Sequence, residues 1–315
     1  MVPNSEIINQ AAERIFPYIH RTPIISSQRI NKLLNADIYF KCENLQKVGA
    51  FKTRGAVNAV FSLKTDELSN GVATHSSGNH AQALARAASL RGIKAYIVMP
   101  DDSSKVKIEA VKAYGGIITF CTPSLESRET TIATIIEETH AIEIHPYNDY
   151  RIIAGQATAA KEFFEQTKKL DIIMAPVGGG GLLSGTALTS HYFSPETKVI
   201  AVEPEQANDA FLSYYSGNFV PSINPNTIAD GLRTSLGSKT FPIIQQHVHQ
   251  ICTVSENAII EAMRLVWESA KLLIETSSAV PIAALLEKKI DFEGQKIGII
   301  ISGGNVDLDN LPWIN

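Results

Sequence analysis

Apolar positions along the chain recur with two periods. Short β-branched runs alternate with stretches whose apolar residues return every three or four positions, the pattern of strand–helix–strand units around parallel sheets. Ile7, Ile8, Ala11, Ala12, Ile15 and Phe16 fall on one helical stripe, and residues 37–41 then read as a strand. Strands over 71–75, 95–99 and 116–120 alternate with helices over 79–90, 104–114 and 127–138. A second series places strands over 171–175, 198–202 and 296–301, with helices over 182–193 and 256–270. The Pro/Asn-rich stretch 216–226 predicts a surface loop. No short tandem repeat interrupts this order, so the predicted class is α/β.

Composition narrows the partners. With 315 residues the chain has room for about two domains, and 28 Lys+Arg against 32 Asp+Glu give a net charge of −4 without a basic block. That balance offers no electrostatic reason to bind nucleic acid or an anionic membrane, and it points to a small-molecule partner. Cys42, Cys121 and Cys252 are odd in number and widely spaced, which fits neither a disulfide framework nor a CxxC zinc site. A cytoplasmic location follows as the expectation. The N-terminal segment has early acidic residues and no apolar core of the signal-peptide kind, and the charge-free stretch 172–195 is broken by four glycines and a proline.

Four segments carry candidate chemistry. Gly178, Gly179, Gly180 and Gly181 follow an apolar strand and open a helix, where backbone N–H groups converge on an anion such as phosphate. The Walker Lys-Ser/Thr ending and the spaced GxGxxG pattern are both missing, which argues against a nucleoside triphosphate or dinucleotide. Lys52, between Phe51 and Thr53, reads alone as a solvated charge; desolvated at a helix mouth, its amine becomes a nucleophile for an aldehyde. Ser76-Ser77-Gly78-Asn79-His80 follows a strand and precedes a helix, which suits capping and also suits a substrate carboxylate. Ser302-Gly303-Gly304-Asn305 sits at a strand end, where ligands bind in open α/β sheets.

In this order FKTRGA, SSGNHAQ, VGGGGLLSG and ISGGNVDL resemble the four signature segments of fold-type II pyridoxal 5′-phosphate (PLP) enzymes, in particular the serine racemase and serine/threonine dehydratase branch. The resemblance spans nearly the whole chain. It implies a tryptophan synthase β-like fold of two open, twisted, mostly parallel-sheet domains with the cofactor between them. The large domain would comprise 1–68 and 148–315, and a small mobile domain 69–147 would close over the substrate. Lys52 would hold PLP covalently and its freed amine would act as base on one face of the substrate Cα; Ser77 would stand across the ring as the acid of the other face. Phe51 would pack near the ring, Asn79 would bond its 3′-oxygen, Gly178 to Gly181 and Leu182 would hold the phosphate, and Ser302 would bond the pyridine nitrogen. Ser76, Ser77, Asn79 and His80 would receive the substrate.

The segment VEPEQAND resembles the racemase branch's divalent-cation site, with Glu203, Asp209 and the Ala207 carbonyl around Mg²⁺, or Ca²⁺ or Mn²⁺ in its place. Read without the resemblance, Asp209 is a helix cap. Glu275 would lie near the cofactor, and Arg128 is read equally as a mobile active-site neighbour or a solvated side chain. Two positions depart from the family pattern: Tyr147, where animal racemases carry Asn, and Thr276, where relatives carry Pro. Asn305 lies so close to the last residue that no feedback through a C-terminal regulatory domain is expected.

The activity implied is an L-serine/L-threonine dehydratase that yields pyruvate or 2-oxobutanoate and ammonia, with serine racemisation as a second or principal activity. A 3-hydroxyaspartate dehydratase ranks third, and a catalytically silent PLP- or nucleotide-binding regulator is the reading from another class. A homodimer and a nucleotide effector are also implied by the resemblance.

Overall fold

The computed structural model describes every residue except Ser77, Ser104 and Asn315, together with the side chains of all but Val106 and Leu125 among the rest. Ten strands form two sheets: β1 Ile24–Ile25, β2 Asp37–Cys42, β3 Val72–His75, β4 Ala95–Pro100, β5 Ile117–Cys121, β6 Ile142–Glu143, β7 Ile172–Pro176, β8 Lys198–Pro204, β9 Gln250–Val254 and β10 Lys296–Ile301. The larger sheet runs β1-β2-β10-β7-β8-β9 and the smaller β5-β4-β3-β6. All pairings are parallel except β1 with β2. The class and two-sheet organisation are those read from the sequence.

Parallel pairing follows from the helices between the strands, which cover both faces and let central strands be apolar on both sides. Hence IIMAP of β7 is buried throughout and KIGIII of β10 is buried after its first residue. The helices Glu256–Ala270 and Thr276–Leu286 pack on one face of the larger sheet, and Leu182, Leu183 and Phe163 pack on the other. Among the described residues no helix is long and apolar enough to cross a membrane. The stretch 217–229 has no regular structure, as its composition predicts.

Two features position the site. Ile301↔Cys42 and Pro176↔Val202 are in register at the carboxyl ends of adjacent strands, so Ser302-Gly303-Gly304 and the four-glycine loop emerge side by side from β10 and β7. The helix Lys52–Phe61 is also clamped against the helix Tyr150–Gln166, because Gly155 has no Cβ to hold them apart; one there would lie 2.6 Å from Gly55 Cα. A buried ionic network ties the same helices to β2. Arg54 bonds Glu43 through Nε and Nη2 (2.7 and 2.8 Å) and Glu162 through Nη1 and Nη2 (2.8 and 2.9 Å). Lys41 completes it, donating to Glu162, Gln166 and the Thr22 carbonyl. With every donor of Arg54 and Lys41 used, the charges are neutralised in place, and removing one partner would cost about 3–5 kcal/mol.

Candidate active site

Lys52 opens its helix with Phe51 as the residue before it, and the Phe51 N–H donates to the Ser302 carbonyl (2.9 Å), which joins the lysine segment to the end of β10. Its Nζ lies 5.2 Å from the Phe51 ring centroid and donates to the Pro146 carbonyl at 3.0 Å. Burial lowers its pKa to about 8, opposed by the charge of Glu275. An amine near neutrality is both a nucleophile toward an aldehyde and a base.

Each of the four glycines answers to a separate neighbour. A Cβ on Gly178 would lie 3.0 Å from Leu232 Cα, one on Gly179 would enter the Tyr147 ring, and one on Gly181 would lie 2.9 Å from Tyr147 Cβ. Gly180 has φ +86° and faces Thr240. The loop is therefore bare by necessity, and it opens the helix Gly181–Phe193, whose first-turn N–H groups lack intrahelical acceptors. Leu182 sits in that turn. This cradle suits the phosphate of PLP.

Asn79 heads the helix Asn79–Leu90 and reaches across to the other sheet's loops. Its Nδ2 donates to both oxygens of Glu275 (3.0 and 3.1 Å), and its Oδ1 accepts from Asn305 Nδ2 (2.8 Å). The Asn305 N–H also donates to Glu275 (3.2 Å). Burial, with the Asp230 charge, pushes the Glu275 pKa up to about 7, while Asn79 and Asn305 oppose it. Ser302, 3% exposed, lies 2.9 Å from the Ser278 hydroxyl, whose single proton has two acceptors in reach, Ser302 Oγ and the Gly303 carbonyl (2.8 Å). When Ser278 donates to Ser302, the Ser302 O–H is free to donate to a ring nitrogen.

The remaining expected residues are placed less evenly. Ser76 follows β3, and its hydroxyl accepts the Gly78 N–H (3.4 Å). His80 is buried with Nε2 on the Ile144 carbonyl (3.1 Å); burial and the Lys52 charge hold its pKa well below 6.5, so it is neutral. Ser77 lies outside the described residues. Arg128, on the helix Leu125–Thr139, is half-buried, has Nε without a partner among the described residues, and depresses the pKa of His75 after burial has done so.

Glu203, the last residue but one of β8, accepts the N–H groups of Ala210 and Phe211 (3.1 and 2.9 Å). Asp209, 3% exposed, has neither carboxylate oxygen bonded with good geometry among the described residues. Burial pushes Asp209 up to about 6 against the pull of the Ser222 side chain and the Leu236 backbone, and burial with the Asp209 charge raises Glu203 well above its ordinary value. Ala207 is buried between them in sequence. Among the described residues no three His, Cys, Asp or Glu side chains come together as a metal site, so any cation here rests on two carboxylates and backbone.

Sequence reasoning missed His145, Thr234 and Thr240 and marked Tyr147 only as a departure. The Tyr147 hydroxyl lies 2.8 Å from Thr234 Oγ1, its ring packs edge-on to His145 (centroids 4.6 Å apart), and Thr240 donates to the Gly179 carbonyl (2.8 Å). Only the unusual aromatic at 147 hinted at this wall.

The family described as "Pyridoxal-phosphate dependent enzyme" matches residues 15–303. The chain is 50% identical over 312 residues to β-hydroxyaspartate dehydratase of Paracoccus denitrificans (strain Pd 1222), covering 99% of each. It is 49% identical over 311 residues to serine racemase of Dictyostelium discoideum, covering 98% of this chain and 96% of that one. The crystal structure of a T.th. threonine deaminase superposes with a TM-score of 0.93 at 41% identity, covering 97% of this chain and 99% of the other. With the lysine, glycine cradle and serine in place, the chain belongs to the fold-type II pyridoxal-phosphate-dependent enzymes.

Proposed function

We propose that the chain is a PLP-dependent dehydratase of β-hydroxy-α-amino acids, acting on L-serine and L-threonine, with serine racemisation as a second activity. The observation that carries this reading is the buried Lys52 amine, its pKa lowered to about 8, bonded to the Pro146 carbonyl and carried on a segment that the Phe51 N–H ties to the Ser302 carbonyl. PLP, when bound, supplies an electron sink that acidifies the substrate Cα–H. Lys52 Nζ removes that proton, and the Pro146 carbonyl accepts from the ammonium so formed. Loss of the β-hydroxyl as water, followed by hydrolysis, gives the 2-oxo acid and ammonia. Gly178 to Gly181 and Leu182 would hold the phosphate, Phe51 and Asn79 would lie beside the ring, and Ser302 would serve its nitrogen as a neutral donor. Ser76, Asn79 and His80 border the place of the substrate carboxylate, and Ser77 is assigned the acid role of the second face on resemblance alone.

3-Hydroxyaspartate is the second substrate reading. It is supported by the dehydratase relative at 50% identity and by Arg128, whose unpartnered Nε, among the described residues, is a donor a second carboxylate would need. Glu203, Asp209 and the Ala207 carbonyl fit a divalent cation, Mg²⁺ by preference, because Asp209 has neither oxygen bonded among the described residues and Glu203 beside it is held by backbone N–H groups alone. The cation would fix the turn and helix around them and take no part in the chemistry. The reading also includes a homodimer, a nucleotide effector and the division into 1–68 with 148–315 and 69–147, all from the family resemblance. A cytoplasmic setting is supported by three cysteines that are free and buried.

The test is product analysis of L-serine, L-threonine and 3-hydroxyaspartate turnover with PLP and Mg²⁺, quantifying 2-oxo acid and D-serine in one sample, for wild type and Ser77→Ala. Oxo acid is expected from the first two substrates, with D-serine lost in the variant while pyruvate persists. A preference for 3-hydroxyaspartate above about tenfold in kcat/KM replaces the first substrate reading with the second. No turnover of any of the three overturns both.

A further inference from the structure

His145 lies between β6 and the helix Tyr150–Gln166, in a turn without regular secondary structure. Its Nδ1 accepts the N–H of Asn148 at 2.9 Å and that of Tyr147 at 3.3 Å, so Nδ1 carries no proton and Nε2 does. The three residues that follow each reach a different wall of the cofactor site. The Pro146 carbonyl accepts from Lys52 Nζ (3.0 Å), and Tyr147 lies with its ring over Gly179, its Cβ and backbone against Gly181 and its hydroxyl on Thr234. Asn148 Oδ1 accepts the Lys239 N–H (2.7 Å), just ahead of the helix Thr240–His247. One imidazole thus stands at the centre of a turn that addresses the lysine and the phosphate loop together.

We propose that His145 is a positioning residue: by accepting from two successive backbone N–H groups, it holds the Pro146 carbonyl against the Lys52 amine and thereby sets that amine's proton affinity. Proline has no N–H and a fixed φ, so the direction of its carbonyl depends on how the peptides after it are tied. The tie requires a neutral imidazole, because a protonated ring has no acceptor. Burial supplies this, pushing the His145 pKa down to about 4, with His75, Lys52 and Lys239 adding to the shift and Asp149 opposing it. The His75 ring, 5.7 Å away and edge-on, and the Tyr147 ring enclose it.

This inference rests on Lys52 being the PLP lysine and the base, and its test is independent of turnover. Asparagine at 145 places an acceptor oxygen where Nδ1 stands, whereas glutamine places one where Nε2 stands. In the full-length chain freed of PLP, the pH dependence of reductive methylation, read on the Lys52 peptide by mass spectrometry, reports the amine's titration. Wild type is expected to have a midpoint at about 8. His145→Asn should stay within about 0.3 pH unit of it, while His145→Gln and His145→Ala should fall by about one unit or more, as for an ammonium that loses a charge-assisted bond. A glutamine variant that matches wild type, or an asparagine variant displaced as far as glutamine, overturns the proposal. Should His145→Ala not fold, the Asn/Gln pair decides. Failure of the underlying reading shows separately, as wild-type protein that takes up no PLP on Lys52.

Discussion

Glu275 shows how a single buried side chain joins the two sheets. It accepts from Asn79 on one side and from Asn305 on its own, and Gly303 approaches so closely that a Cβ there would lie 2.7 Å from Glu275 Oε1. Its carboxyl, ordinarily at 4.5, titrates at about 7 when folded. Because the folded value is raised, the chain binds more protons folded than unfolded between these limits. The stabilisation is complete below pH 4.5 and lost as pH rises through 7. Denaturant unfolding of the wild-type chain between pH 4.5 and 7 should therefore include a decline of about 3 kcal/mol from this group. In Glu275→Gln that part of the decline disappears; parallel pH profiles for the two proteins would contradict the assignment.

Among the elements, the four-glycine loop is closely constrained: a Cβ at Gly179 or Gly181 would overlap Tyr147, one at Gly178 would crowd the Leu232 backbone, and Gly180 has φ +86°. Gly179→Ala should push the Tyr147 ring off the loop and separate its hydroxyl from Thr234, raising the Kd for PLP by at least about tenfold in a fluorescence titration. Unchanged affinity would show that the ring has room to yield. This loop, β10 and the helices Asn79–Leu90 and Glu256–Ala270 were legible because short apolar strands meet polar or glycine-rich turns there, and because Glu256–Ala270 has a clear apolar stripe. The helix Tyr150–Gln166 was not. Nine consecutive residues from Ile152 to Ala160 are buried, so there is no polar face to set off an apolar one, and alanine and glycine mark close packing and not a period. The helix Thr276–Leu286 is buried in the same way and contains Pro281, a residue that reads as a break. His145 and Thr234 escaped for another reason: their roles arise from contacts that no local pattern encodes, the Thr234 hydroxyl meeting Tyr147 from far along the chain and the His145 ring turning back on its own loop.

At the scale of the whole molecule, two mostly parallel sheets direct their carboxyl ends toward one site, and Lys52, Asn79 and Ser302 meet there from separate parts of the chain. Away from it, Glu203 and Asp209 are two buried carboxylates side by side, and neither Asp209 oxygen has a partner among the described residues. Millimolar Mg²⁺ should raise the thermal midpoint of wild type by several degrees, reversed by a chelator and absent in Asp209→Asn, as expected for a ligand that binds only the folded state. An equal response from both proteins would place the cation elsewhere. The central claim concerns Lys52 and is open to direct observation. Borohydride reduction of the PLP-loaded chain, followed by peptide mapping, should locate a phosphopyridoxyl group on Lys52; an adduct on another lysine, or none, would contradict the account.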